Sequence, residues 1–79
     1  MSPAIFKYKS YWLYFFSKEE ARVNIHVKCP NGGAKFWLEP IVALANNYGL
    51  SPKQLNEIQK FIKEKADEIT EAWENYFKS

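Results

Sequence analysis

Residues 22–28, RVNIHVK, alternate strictly between side chains that seek water and side chains that avoid it. Residues 34–39, AKFWLE, repeat the pattern a short distance on. A period of two is the signature of a strand with one buried face. Between the two segments stands Cys29-Pro30-Asn31-Gly32-Gly33, where Pro fixes φ and Asn and Gly tolerate positive φ. The simplest expectation is an antiparallel hairpin closed by a four-residue loop, Pro30 to Gly33. That loop pairs Cys29 with Ala34, Val27 with Phe36 and Ile25 with Leu38 on an apolar face. On the polar face it pairs His26 with Trp37, Asn24 with Glu39 and Lys28 with Lys35, the last a like-charge pair that long side chains relieve by splaying into water.

The rest of the chain extends this frame. IFKYKS and YWLYFF, within residues 4–16, are rich in aromatic residues of high β propensity and read as one broken strand or two short ones. Pro40 removes a backbone donor and ends or kinks the strand before it. IVALA, residues 41–45, reads as a further short strand or as irregular. From Ser51 the period becomes helical. Ser51 can cap, and Pro52 suits the first helical position. Leu55, Ile58, Phe61, Ile62, Ala66, Ile69, Ala72, Trp73, Tyr76 and Phe77 form one apolar stripe. With no Gly or Pro interrupting it, the stripe predicts one long helix over about 52–78, bent near Lys65, with its aromatic end against YWLYFF or another chain. The expected fold is α+β: a three- or four-stranded antiparallel meander within residues 4–45, packed against one long C-terminal helix. At 79 residues this is a single domain near the lower limit for a self-sufficient core.

A content of 47% hydrophobic and 18% aromatic residues excludes a disordered chain. A single cysteine excludes an internal disulfide and fits the reducing cytoplasm. Lys7 and Lys9 interrupt the N-terminal apolar residues, so no signal peptide is expected, and no apolar run is long enough to span a bilayer. The net charge of +2 is divided unevenly. Residues 1–38 hold six cations against two glutamates, a net +4, whereas residues 39–79 hold five lysines against seven carboxylates, a net −2. The basic half suits a nucleic acid or an acidic protein; the same charges also serve ordinary solubility.

Catalytic motifs are absent: the sequence has no GxSxG, P-loop, CxxC or HExxH. Cys29 and His26, three residues apart on a strand, fall on opposite faces and cannot form a dyad. One His and one Cys do not make a metal site, so no metal or other cofactor is expected. The candidate site is therefore a binding surface made of Arg22, Asn24, His26, Lys28, Lys35 and Trp37. An indole ringed by cations suits stacking on a base or an acidic peptide edge. The competing arrangement covers Trp37 with Ile5 and Phe6 and leaves no site.

NIHV, AKFWLEPIVALANNYGLSPKQLNEI and EAWENYF together resemble a small bacterial family catalogued as domain of unknown function 4160. The resemblance runs from about Ser10 to Phe77. Members of the family resemble, by gene neighbourhood, one half of a toxin–antitoxin pair whose other half is a small protein catalogued as domain of unknown function 2442. The resemblance therefore implies a toxin-like protein that acts by contact with a small cognate protein encoded nearby. The family pattern before the turn reads Pro-Pro-His-x-His-Val. Here its first histidine is Asn24, and a mid-helix Glu-His is Glu64-Lys65, so only His26 remains of three histidines. A paired-histidine mechanism is thereby put in doubt, while Asn24 still offers hydrogen bonds to a ligand. Three expectations for function follow: a protein-interaction module without enzymatic activity; an RNA or nucleic-acid binder or ribonuclease using the polar face; and a domain that only self-associates. No membrane partner is expected.

Overall fold

The computed structural model describes residues 4–15 and 21–77, with side chains from Phe6 onward. Five strands form one antiparallel sheet in chain order: β1 (Ala4–Tyr8), β2 (Tyr11–Tyr14), β3 (Asn24–Cys29), β4 (Gly32–Trp37) and β5 (Ala43–Tyr48). Two helices, α1 (Pro52–Glu64) and α2 (Ala66–Phe77), complete the α+β fold. The sheet exceeds the three or four strands expected. IFKYKS and YWLYFF supply separate strands, and IVALA opens a fifth that runs on to Tyr48.

The expected apolar face is the core. Leu13, Ile25, Val27, Phe36 and Leu38 are buried with Ile58, Ile62 and Ile69 of the helices. The hairpin register differs from expectation by two residues. Cys29 pairs with Gly32, Val27 with Ala34, Ile25 with Phe36, His26 with Lys35, Lys28 with Gly33 and Asn24 with Trp37. The loop is therefore only Pro30-Asn31. The glycines serve close approach inside the ladder: a Cβ at Gly32 would lie 2.1 Å from the Tyr48 carbonyl oxygen of β5. Asn31 ties the turn to the rest of the fold. It donates to the Gly49 carbonyl at 3.3 Å and exchanges hydrogen bonds with Gln54 at 3.2 Å. A shift of two leaves every side chain on its predicted face, whereas a shift of one would have reversed them all. The cross-strand neighbours change, however, and Lys28 and Lys35 no longer oppose each other.

The single long helix is also corrected. The predicted start holds: Gln54 N–H donates to Ser51 Oγ at 3.2 Å, and Ser51 N–H to Gln54 Oε1 at 3.0 Å, a reciprocal cap. The helix is interrupted at Lys65 (φ −108°, ψ 12°), whose N–H is shared between the Phe61 and Ile62 carbonyls at 3.0 and 3.2 Å. Packing supplies the reason: each helix buries its own residues in the core, Ile58 and Ile62 from α1 and Ile69 from α2. Turning at Lys65 keeps Ile69 buried and brings Ala72, Trp73 and Phe77 onto the core. The aromatic end meets the YWLYFF segment, one of the two alternatives expected, just past β2: the Phe15 ring lies 5.6 Å from Tyr76 and 6.2 Å from Phe77.

A second tie joins α1 to the β1–β2 turn. Lys9, at φ 54°, forms a salt bridge with Glu57, and the Tyr11 hydroxyl donates to Glu57 at 3.2 Å. The hydrogen bond from Lys9 holds the Glu57 carboxyl below its ordinary range and holds Lys9 above its own. Tyr11 is pushed up, first by burial and then by its hydrogen bond to Glu57. No helix among the described residues is long and apolar enough to cross a membrane.

Candidate functional site

Both helices place their buried residues against one side of the sheet. The strand residues that point the other way stand in cross-strand rows, because partners in an antiparallel ladder share a face. One row runs Lys7, Trp12, Lys28, Gly33, Tyr48. The next runs Tyr14, His26, Lys35, Asn46. A third is Asn24, Trp37, Ala43.

The six residues expected to form one surface fall into three settings. Arg22, Lys35 and Trp37 come together: the Arg22 guanidinium lies 4.3 Å and the Lys35 ammonium 4.5 Å from the indole centroid. Arg22 is fixed by donating Nε–H to the Glu39 carbonyl at 2.8 Å. Asn24 is not an exposed ligand group. It is 5% exposed and donates its amide to the Arg22 carbonyl at 2.8 Å. Its place opposite Trp37, which two cations flank, explains the burial. His26 is half-buried and stacks on Tyr14 at 5.4 Å rather than facing Trp37. Lys28 stands apart from the Trp37 group, in the Trp12 row.

Phe6 does not cover Trp37. It pairs with Leu13 at the opposite edge of the sheet and packs on the core; the Ile5 side chain lies outside the described residues. Cys29 is buried on the core side and its thiol donates to Asn31 Oδ1 at 3.2 Å, so it does not meet His26. Among the described residues no three His, Cys, Asp or Glu side chains gather as a metal-binding group.

The sequence reading missed Trp12, Tyr14 and Tyr48. Trp12 is 47% and Tyr48 61% exposed. In YWLY all four residues are apolar, so the alternation that separates buried Tyr11 and Leu13 from outward Trp12 and Tyr14 is invisible to a hydropathy pattern. A cleft of about 450 Å³, lined by Trp12, Lys28, Cys29 and Pro30, opens beside the first row. Lys7 reaches over Trp12, with Nζ 5.0 Å from the ring centroid.

Charge separates the two layers. The five strands contain Lys7, Lys28 and Lys35 and no carboxylate. Residues 52–77 carry four lysines and six carboxylates, and Glu39 is the only other carboxylate among the described residues. The sheet face left uncovered among the described residues is thus cationic and aromatic, and the acidic helices stand behind it.

Fold and surface together define a small α+β domain with a five-stranded antiparallel sheet backed on one side by two helices. The chain belongs to the family described as Domain of unknown function (DUF4160), which matches residues 10–74. No curated protein and no solved structure matches it.

Proposed function

We propose that this domain is a binding module whose uncovered sheet face takes single-stranded nucleic acid. The observation that carries the reading is the separation of charge and rings. Trp12, Tyr14, Trp37 and Tyr48 share a face with Lys7, Lys28 and Lys35, with no carboxylate on any strand. Phosphates are attracted to the cations, and bases have flat partners to stack on. A flat, open sheet also suits unpaired bases better than a duplex, whose bases are already stacked. The test is binding of a labelled oligouridylate at several salt concentrations. Lys28→Glu with Lys35→Glu is expected to weaken binding at least tenfold. Lys60→Glu with Lys63→Glu, on the helix layer, is expected to change it less than threefold. No binding at low salt, or equal losses from the two pairs, would overturn the reading.

A second reading follows the toxin-like role in a two-protein module, cytoplasmic and paired with a small cognate protein encoded nearby. It draws support from an apolar rim near edge strand β5, where Ile41 is 70% and Leu44 42% exposed. Exposed apolar side chains at a sheet edge fit protein contact better than nucleic acid. Co-purification with the product of the adjacent small gene, lost on Ile41→Asp, is the outcome this reading expects.

A further inference from the structure

The rows of the open face are not equivalent, and the difference locates where a base would stack. In the Trp37 group the ring already has two cations over it, and Asn24 opposite is buried. The first row is more open: one cation, Lys7, lies over the Trp12 ring at 5.0 Å, and Trp12 is still 47% exposed. From β2 to β5 it reads Trp12, Lys28, Gly33, Tyr48, with an exposed ring at each end. Gly33 leaves a gap beside Tyr48. The gap is built into the fold, because a Cβ at Gly33 would lie 2.7 Å from the Val27 carbonyl oxygen.

We infer that this row is a stacking track for single-stranded nucleic acid that crosses the strands: one base on Trp12, a second on Tyr48, and one of the phosphates between them on Lys28. The inference rests on the nucleic-acid reading above and narrows it to one row. Trp12 and Tyr48 are three strand spacings apart, about 14 Å at roughly 4.8 Å each. Duplex bases advance only about 3.4 Å along the axis per nucleotide. Two adjacent stacked bases therefore cannot reach both rings. The occupant is a splayed strand with at least one nucleotide between the two stacked bases, its intervening base lying over Gly33. The cleft beside Trp12, Lys28, Cys29 and Pro30 gives the base on Trp12 a wall to lie against. Lys7 over the same ring brings a second cation to the phosphate that follows.

The experiment uses the full chain and two probes, fluorescein-labelled ten-residue oligouridylate and oligodeoxythymidylate, read by anisotropy. In a Trp37→Phe, Trp73→Phe background Trp12 is the only tryptophan, and its emission reports stacking directly. Saturating oligonucleotide is expected to quench that emission. Trp12→Ala and Tyr48→Ala are each expected to weaken binding at least fivefold, the lower end of what one stacked base contributes. Lys28→Gln is expected to reduce the slope of log K against log salt by about 0.7, the share of one single-strand phosphate. Affinity is expected to climb steeply from one to three nucleotides and then flatten. Equal binding of the two probes means that the track reads bases and phosphates; preference for the ribo-oligomer adds contact to the 2′-hydroxyl. If the oligonucleotides bind but Trp12 emission is unchanged and Trp12→Ala and Tyr48→Ala have no effect, the track is wrong and the broader reading survives. If neither probe binds the wild-type chain at low salt, both fall.

Discussion

Trp12 and Lys28 face each other across β2 and β3 on the uncovered side of the sheet. Both are exposed, and Cys29 and Pro30 complete the cleft beside them. Their neighbours in chain order, Leu13 and Val27, also face each other, but in the core. One ladder thus supplies a buried contact that holds the sheet to its helices and an open one that remains available to a ligand.

Substitution on the open side should leave the fold unharmed. Trp12→Ala and Lys28→Ala are each expected to change stability by no more than about 0.5 kcal/mol, as surface changes do. Urea unfolding followed by far-ultraviolet circular dichroism would check this. A large loss would mean that Trp12 holds the sheet together.

Phe36 gives the opposite expectation. It is fully buried, pairs with Ile25 on β3 and lies in the core with Ile58 and Ile62. Phe36→Ala is expected to cost about 3–5 kcal/mol, enough to unfold much of a domain this small. The readout is the fraction folded at 25 °C without denaturant.

Gly32→Ala tests why the turn is short. The added methyl would meet backbone, the Tyr48 carbonyl at 2.1 Å, and backbone cannot swing aside as a flexible side chain can. The expected cost is about 1–3 kcal/mol, with loss of amide protection concentrated in β5. Unchanged protection there would show that β4 and β5 separate without penalty.

Arg22 and Trp37 should be coupled. A double-mutant cycle with Arg22→Ala and Trp37→Ala is expected to give an interaction of about 0.5–1 kcal/mol, the range for an exposed cation over an indole. Additive losses would indicate that the guanidinium is held only by the Glu39 carbonyl.

The Lys9–Glu57–Tyr11 group makes stability depend on pH at both ends. Glu57 titrates below its unfolded value, so its contribution is complete above the unfolded carboxylate range and is lost as pH falls through the folded value. Lys9 and Tyr11 titrate above theirs. Their contributions are complete below the unfolded values near pH 10 and are lost as pH rises through the folded ones. Glu57→Gln is expected to flatten the acid limb of a plot of melting temperature against pH. It should also weaken the alkaline limb, where burial continues to act on Tyr11.

The sequence by itself determined which side of each alternating strand is buried and where the helical region begins. These features are local. Alternation in RVNIHVK and AKFWLE sorts side chains by face whatever the register, and the Ser51 cap needs only Gln54 three residues on. Tertiary structure decided which residues meet. Gly32 and Gly33 look like loop residues until β5 and β3 are seen pressing against them, and that pressure shortens the loop, moves the register by two and gives Trp37 to Asn24 rather than to His26. Asn24 is polar in any one-dimensional pattern, yet its place opposite a ring flanked by cations buries it. The face of Trp12 is hidden in an apolar YWLY and becomes definite only when β2 pairs with β3. Burial and proximity come from contacts between segments distant along the chain, whereas a hydropathy pattern records only the average preference of each segment for water.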